Sequence, residues 1–305
     1  MTIDAVLPAD KTMLARAMDG RGLPLVTVIL VLLVLWYAGA VALNAPVLLD
    51  KYKRQKTDWT VTQLIDDSWS MDRPLLPAPH QIVIELKKSI FDRKITSKRS
   101  LVYHSWVTIS STLLGFLFGT VLGVVLAVGI VHVRALDRSL LPWVIASQTI
   151  PILAIAPMVI VVLGAVGLTG LVPKALISMY LCFFPVTIGM VKGLRSPDPM
   201  QMDLMRTYSA SSWQVFWKLR WPSSVPFLFA SLKVAVAISL VGAIVAELPT
   251  GASAGLGARL LVGSYYGQTI QIWAALVVAS ALAGTLVALM SALEKFTLRR
   301  MGVAA

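Results

Sequence analysis

Residues that could perform catalysis are few in this 305-residue chain, and they are not spaced as an active site requires. The three histidines, His80, His104 and His132, are far apart, and no cysteine or carboxylate lies at ligand spacing from them. We therefore expect no metal site. The sequence contains neither a G-x-x-x-x-G-K-[ST] loop for nucleotide phosphates nor a G-x-S-x-G turn for a serine nucleophile. It predicts no enzymatic activity and no bound cofactor.

Glu247 is the acidic side chain whose position is most informative, because it directly follows a long apolar run and precedes Pro249. The sequence favours an interfacial carboxylate that accepts hydrogen bonds from backbone donors. Contact with a transported solute is the alternative. Ionisable groups, which secondary transporters use as relays inside their spans, are nearly absent from the apolar runs. Lys174 and Lys233 are the basic residues within those runs, each near a span end.

A second unusual segment is residues 208–222, YSASSWQVFWKLRWP, which is too polar for lipid and too apolar for a solvated linker. In a helix, Trp213, Phe216 and Trp217 would share one face. We expect a serine cap at the start of this helix and Pro222 at its end, the candidate caps being Ser209, Ser211 and Ser212. Two interpretations remain open on these grounds: an amphipathic helix lying on the membrane, or a docking helix seated in a partner protein.

The elements around these residues are apolar runs of bilayer length, in a chain that is 57% hydrophobic and 14% charged. Each run lacks Asp, Glu and Arg, and each is long enough to cross a membrane as a helix. The sequence therefore predicts an all-α integral membrane protein with about six transmembrane helices, the first of which is retained because no cleavage site follows it. The runs are Pro24–Leu43, Ser105–Val131, Leu140–Val166, Leu171–Val191, Pro226–Ala246 and Ile270–Leu293.

Glycines and prolines inside these runs predict how the helices pack and bend. Gly115, Gly119 and Gly123 share one helix face and allow close backbone approach, which favours packing within one subunit over a dimer contact. Prolines should bend the third and fourth spans, where freed carbonyls are tolerated along a water path. The candidates for lining a pathway are therefore Pro151, Pro157 and Pro185, together with Glu247.

Basic residues predict the sidedness of the chain. They lie in the arm 1–23, the second–third loop, the 192–225 segment and the tail 299–305, so the positive-inside rule makes both termini cytoplasmic. The loop 44–104 is too long for that rule, and we expect it outside, with a surface helix over Gln81–Arg99. The net charge of +12 is scattered over loops, which indicates a membrane protein and no nucleic-acid partner.

The stretch MDLMRTYSASSWQVFWKLRWPSSVPFLFASLK resembles the signature cytoplasmic loop of the permease subunits of ABC importers. That loop reads Glu-Ala-Ala, then Gly four residues later, then a Leu-Pro-like end. Asp203-Leu204-Met205 falls on Glu-Ala-Ala, Ser209 on the Gly and Trp221-Pro222 on Leu-Pro, so both alanines and the glycine are replaced. The aromatic and basic character of SSWQVFWKLRWP is similar to that of the family.

Further motifs occur in the family's order, from about Leu76 to Leu298. LLPAPHQIV, QTIPILAIAPMVIVVLG, FFPVTIGMVKGLR and VGAIVAELPTGASAGLGARLL are similar to segments of the nitrate/sulfonate/taurine branch of binding-protein-dependent importers. The resemblance implies a type I importer permease fold (MetI-like), with a permease core over 105–298 that includes the 192–225 segment as its coupling loop.

The resemblance also implies partners and a location. Two permease copies would form one pathway in the bacterial cytoplasmic membrane, separate ABC ATPase subunits would bind ATP, and a periplasmic or lipid-anchored protein would deliver the solute. The ATPase would dock on Asp203, Ser209, Ser212, Trp213, Phe216, Trp217, Lys218 and Pro222. Nitrate, sulfonates or taurine are the implied solutes, with a pyrimidine-type vitamin precursor or riboflavin as the alternative. A secondary transporter or channel without an ATPase is the alternative of another class.

Overall fold

The computed structural model describes residues 22–248 and 254–302, and these form helices joined by turns. The predicted arm 1–23 lies almost wholly outside this range, as do Pro249 and the last three residues of the tail. The helices are α1 (Gly22–Gln55), α2 (Val61–Ser70), α3 (Pro79–Ile90), α4 (Leu101–His132), α5 (Arg134–Ala146), α6 (Ile152–Ala165), α7 (Leu171–Leu194), α8 (Pro199–Thr207), α9 (Ser212–Val215), α10 (Trp221–Ala246), α11 (Leu256–Tyr265) and α12 (Thr269–Arg300). The chain divides into two compact units, residues 1–85 and 86–305.

In the first unit, α1 continues well beyond the predicted end of the first span at Leu43 and reaches Gln55. Asn44 allows the helix to continue. Its side-chain amide is fully buried and finds hydrogen-bond partners while the backbone remains helical. Its Oδ1 accepts the Leu75 N–H at 2.7 Å, and its Nδ2 donates to the Leu76 carbonyl at 2.9 Å. The first twelve residues of the predicted loop 44–104 therefore belong to α1.

The predicted surface helix Gln81–Arg99 is shorter than expected, since α3 ends at Ile90. Local turn contacts replace the helix between Ile90 and α4. The Ser97 N–H donates to the Lys94 carbonyl at 2.9 Å, and Arg93 Nη1 donates to the Arg99 carbonyl at 2.7 Å. These bonds satisfy backbone groups that a continuing helix would have paired, so the chain can turn before α4 begins.

The core of the second unit is built from α4, α7 and α10, which pack along most of their lengths. The three glycines of α4 make the contact with α7 possible. A Cβ at Gly115 would overlap Ser178, one at Gly119 would overlap Cys182, and one at Gly123 would lie 2.8 Å from Val186. The predicted use of these glycines for packing within one subunit is confirmed.

The third predicted span is a broken helix. α5 and α6 meet at an angle of 99°, with a 3₁₀ turn over Ser147–Thr149 and Pro151 at the break. The turn is held against α7 because the Tyr180 hydroxyl donates to the Ser147 carbonyl at 2.5 Å. In the described part of the chain, five helices are long and apolar enough to cross a membrane, and the bent pair makes a sixth crossing if it counts as one span.

Two further helices of the second unit, α11 and α12, follow α10 in the chain. α12 extends the sixth predicted span in both directions and packs against α10 and α11. An ion pair joins α10 to α12, with Lys233 Nζ 2.7 Å from Glu294 Oε2. The charge of Lys233, which the sequence placed inside an apolar run, is therefore neutralised within the chain.

Candidate functional site

The 192–225 segment begins with the short exposed helix α8. The Asp198 side chain caps α8 by accepting the Met200 N–H at 2.8 Å, and Gln201 completes a capping box. Asp203, which takes the place of the family's Glu, lies exposed on this helix and pairs with Arg206 at 2.9 Å. An exposed pair at this spacing contributes little stability, so both side chains can be given new partners at low cost.

Ser209 occupies the position of the family's glycine and adopts the backbone conformation that glycine favours there. Its φ is +50°, in the left-handed region. The turn is closed by two bonds, from the Ser209 N–H to the Arg206 carbonyl at 2.8 Å and from the Ala210 N–H to the Met205 carbonyl at 3.0 Å. The backbone of Ser209 is therefore somewhat strained, and the turn that ends α8 is retained.

Of the three candidate serine caps, the structure uses Ser211. Its hydroxyl accepts the Gln214 N–H at 3.3 Å, while Gln214 Oε1 accepts the Ser211 N–H at 2.9 Å. This capping box starts α9, of which Ser212 is the first residue. Ser212 is exposed and makes no capping bond in the described structure.

The prediction that Pro222 ends this helix is wrong. α9 passes into a π-helical segment, Phe216–Arg220, and then directly into α10, so that Ser212–Ala246 is one continuous helical element. Pro222 lies in the first turn of α10. The helix continues through it, and the π turn closes just before it, where the Trp221 N–H donates to the Phe216 carbonyl five residues back.

The three aromatic side chains predicted to share one face do pack together, with ring centroids 5.1 to 6.3 Å apart, but they differ in exposure. Phe216 is only 8% exposed and packs against the rings of His132 and Trp221, within the chain's own core. Trp213 and Trp217 are 70% and 45% exposed, and the centroids of their rings lie 5.4 Å apart. Phe216 therefore anchors the segment to the core. Trp213 and Trp217 form the outward aromatic surface, and Lys218 is exposed beside them.

Glu247 lies in a polar cluster at the C-terminal end of α10, the end far from the 192–225 segment, and it is fully buried there. One carboxylate oxygen, Oε2, accepts the Gly257 N–H and the Thr108 hydroxyl, both at 2.9 Å. The other, Oε1, lies 3.4 Å from Lys174 Nζ. Burial raises the pKa of Glu247 above its ordinary value, and the charge of Lys174 opposes that rise.

The same cluster holds the backbone that enters α11. The Gly255 N–H donates to His104 Nδ1, and the Leu256 N–H donates to Thr108 Oγ1, both at 2.9 Å. Lys174 Nζ donates to the Ala254 carbonyl at 2.8 Å. Gly255 has a φ of +129°, and a Cβ there would overlap the carboxylate of Glu247. The motif AELPTGASAGLGARLL thus requires a glycine at position 255, because the backbone there lies directly against the buried carboxylate of Glu247.

These contacts match the predicted role of Glu247 as a hydrogen-bond acceptor, with partners that sequence reasoning missed. Besides a backbone donor, it has a lysine and a threonine from two other helices. The sequence did contain a signal for the Lys174–Glu247 pair, since Lys174 lies in the fourth run and Glu247 follows the fifth. Isolated opposite charges at the ends of apolar helices tend to pair.

The prolines named as pathway candidates do not meet in one place. Pro151 and Pro157 are exposed on the broken helix, and Pro185 is half-buried within α7. A cavity of 410 Å³ lies between α6 and α7, and none of these prolines lines it. Its ten lining residues are aliphatic side chains and methionines with a single Tyr180. Sequence reasoning missed these residues, because nothing in an apolar run marks which side faces a cavity.

Comparison with known proteins now decides the family. Residues 119–303 match the family described as "Binding-protein-dependent transport system inner membrane component". The chain belongs to this family. It is thus a permease subunit of the ABC importer type, a multi-pass membrane protein whose relatives are transport subunits and not enzymes.

Several relatives support the assignment. A probable ABC transporter permease protein of Haemophilus influenzae is 30% identical over 69% of this chain and 83% of the relative. A formylaminopyrimidine transport permease protein of Halalkalibacterium halodurans is 33% identical over 60% of this chain and 68% of the relative. A putative aliphatic sulfonates transport permease protein of Bacillus subtilis is 26% identical over 72% and 75%. The predicted branch of the family is confirmed.

A solved structure supports the fold of the permease. The crystal structure of an amino acid ABC transporter with histidines contains a chain that superposes with a TM-score of 0.52 at 14% identity. The match covers 66% of the permease and 93% of the other chain. At this identity it concerns the fold alone, and the predicted importer permease fold is confirmed.

Proposed function

We propose that this permease forms, as a homodimer, the solute pathway of an ATP-driven importer, and that an ATPase subunit docks on the 192–225 segment of each copy. The observation that carries the proposal is the exposed pair Trp213 and Trp217 on a segment that Phe216 ties to the permease core. Large aromatic side chains commonly contribute to protein binding by becoming buried in a pocket of the partner. Asp203 and Lys218 lie on the same exposed segment and would contact the partner at the rim.

The geometry favours protein docking over rest on a lipid surface. Trp213 and Trp217 lie in the first two turns of the helical element Ser212–Ala246, and this exposed stretch is shorter than the extended apolar face by which interfacial helices bind a bilayer. Both of its ends are fixed, by the Ser211 capping box and by the continuous passage into α10. A displacement applied at Trp213 would therefore be transmitted along α10 to the Glu247 cluster, as a coupling element requires.

The ATPase can reach the 192–225 segment only if this segment faces the cytoplasm. The basic residues of the described loops support that orientation. Lys192, Arg195, Lys218 and Arg220 lie at or near this surface, as the positive-inside rule expects of a cytoplasmic side. Both termini would then be cytoplasmic, the Glu247 cluster would face the periplasm, and the permease would lie in the bacterial inner membrane. A periplasmic or lipid-anchored binding protein would deliver the solute on that far side.

For the solute we favour an uncharged heteroaromatic compound of the pyrimidine-precursor class over nitrate, sulfonates or taurine. Both lysines within the apolar runs are neutralised, Lys174 by Glu247 and Lys233 by Glu294, so neither is available to bind an anion. The cavity between α6 and α7 has an apolar lining that suits a neutral ring. The formylaminopyrimidine permease is also more similar to this chain than the sulfonates permease, at 33% against 26% identity. Riboflavin belongs to the same favoured class.

A reconstitution experiment tests the proposal. The permease and a partner ABC ATPase are co-expressed and purified, and the subunit ratio is measured by native mass spectrometry. We expect two permeases with two bound ATPase subunits, and ATP hydrolysis that the solute-loaded binding protein stimulates. A monomeric permease that drives uptake with an ion gradient and without the ATPase would contradict it and would support the secondary-transporter alternative.

A further inference from the structure

A cleft of 330 Å³ opens beside the exposed tryptophans, and the docking proposal does not use it. It lies where the end of α4 meets α8, α9 and the π segment. Charged and polar side chains form much of its walls, in contrast to the apolar cavity between α6 and α7. The lining residues with charged or titratable side chains are His132, Arg206 and Arg220, accompanied by Ser212.

The charge of this cleft is positive. Among the described residues that line it, two are arginines and none is acidic. Arg206 shares its guanidinium with the exposed Asp203, whereas no ion pair joins Arg220 to an acid within residues 22–248 and 254–302. Arg220 is half-buried, so its charge is screened by water less than that of a fully exposed arginine. A planar fork of donors in such a place is suited to bidentate binding of a carboxylate or phosphate.

Two features keep the cleft in shape. His132 forms a fixed wall, because its Nδ1–H donates to the Val128 carbonyl at 2.8 Å and its ring packs against Phe216. Arg220 is the last residue of the π segment, in which one extra residue per turn rotates the subsequent side chains by about 100° around the helix axis. π segments cost stability in a helix and occur frequently at functional sites. Here the segment combines a buried Phe216 with an arginine in the cleft.

We propose that this cleft receives a single carboxylate side chain, Asp or Glu, of the ATPase subunit. The inference rests on the proposed docking function, and it names the chemistry that the partner must present next to the pocket for Trp213 and Trp217. Charge complementarity selects an acidic group, and a cleft of 330 Å³ admits a side chain but not a helix. The pairing fixes the orientation in which the ATPase docks, since a buried fork of hydrogen bonds is directional whereas aromatic burial is not.

The test measures how tightly the partner ABC ATPase binds to the full-length permease in nanodiscs, at low and high salt. The variants are Arg220→Gln, Arg206→Gln and the double substitution, with Arg220→Lys to separate charge from the guanidinium fork. Arg138→Gln on α5 is the matched control, because it removes an arginine that does not line the cleft.

We expect Arg220→Gln to weaken binding about tenfold at low salt and to flatten the salt dependence, as loss of a charge-assisted pair predicts. Arg220→Lys should recover part of the affinity, and Arg138→Gln should match the wild type. In the reverse experiment, Arg220→Glu should abolish binding, and one acidic-to-Arg change in the ATPase should restore it. Such a rescue identifies the partner carboxylate directly.

Unchanged affinity and salt dependence in the Arg206/Arg220 double variant would overturn the inference while leaving the docking proposal intact. Loss of bound anionic lipid from that variant, with normal ATPase binding, would assign the cleft to a lipid headgroup and overturn it as well. A wild-type permease that does not bind the ATPase at all would instead refute the docking proposal, and this inference with it. Thermal unfolding of each variant shows whether a loss of binding comes from a loss of fold.

Discussion

The exposed tryptophans and the buried phenylalanine of the 192–225 segment should respond differently to truncation, although all three are aromatic residues of one short stretch. The perturbations are Trp213→Ala, Trp217→Ala and Phe216→Ala. If the segment docks on an ATPase, the tryptophans contribute to binding and Phe216 to the stability of the permease itself. The structure allows the size of each effect to be worked out.

A tryptophan side chain presents up to about 250 Å² of surface. With Trp213 70% exposed, about 175 Å² is available for burial, an upper limit of about 4 kcal/mol at about 25 cal/mol per Å². Ordering and association costs reduce this, so we expect about 2 kcal/mol for each tryptophan, or about thirtyfold in Kd. Phe216, 8% exposed, offers less than about 0.5 kcal/mol to a partner by the same arithmetic. Its truncation in the core should cost about 3 kcal/mol of folding free energy.

The assay combines ATPase binding to the permease in nanodiscs with thermal unfolding of the permease alone. Trp213→Ala should weaken binding and leave unfolding nearly unchanged. Trp217→Ala should weaken binding with a smaller loss of stability, because its ring also packs against Phe216 and Trp221. Phe216→Ala should lower the unfolding temperature most. Trp106→Ala is the matched control, because Trp106 is also 70% exposed but lies in the first turns of α4, far along that helix from the segment. Normal ATPase binding by the Trp213/Trp217 double variant would refute the reasoning and favour a segment that rests on lipid.

Three further predictions concern other parts of the molecule. Glu247→Gln leaves Lys174 buried without a charge partner and should lower stability by about 3 kcal/mol, and adding Lys174→Met should recover most of this loss. Thermal unfolding in detergent measures the single and the double variant. Additive losses of stability would argue against the Lys174–Glu247 pair. Gly255→Ala places a Cβ on the Glu247 carboxylate at a φ that alanine disfavours, so it should reduce stability and uptake, whereas Gly284→Ala, where a Cβ meets no atom within 4 Å, should do neither. Ser209→Gly relieves the left-handed strain and should preserve or raise stability by up to about 1 kcal/mol with ATPase binding intact, and a marked loss would mean that the serine hydroxyl has a role of its own.

Much of the fold could be predicted because bilayer-length apolar runs have few structural alternatives. The six runs, the close packing of Gly115, Gly119 and Gly123, and the sharp bend at Pro151 all follow from local composition. The turn at Ser209 could be located because the resemblance placed Ser209 on the family's glycine, and Ser209 has the left-handed φ of +50° that suits a glycine.

The remaining features depend on contacts between residues far apart in the sequence. Helical spacing placed Phe216 with Trp213 and Trp217, and the three rings do pack together, but the spacing did not show that α4 also covers Phe216. The pairing of Lys174 with Glu247 joins two helices separated by a long stretch of chain. Helical periodicity describes one helix at a time, and it does not show which neighbour covers a given face.

The central claim, that this permease imports solute only when coupled to an ATPase, is tested most directly by transport in proteoliposomes. The permease, the partner ABC ATPase and the binding protein are reconstituted, with ATP on the side of the 192–225 segment and radiolabelled formylaminopyrimidine on the other. We expect accumulation against the solute gradient that requires ATP and that the Trp213/Trp217 double variant loses. Accumulation by the wild-type permease without ATP or the ATPase, driven by a proton or sodium gradient, would contradict the claim.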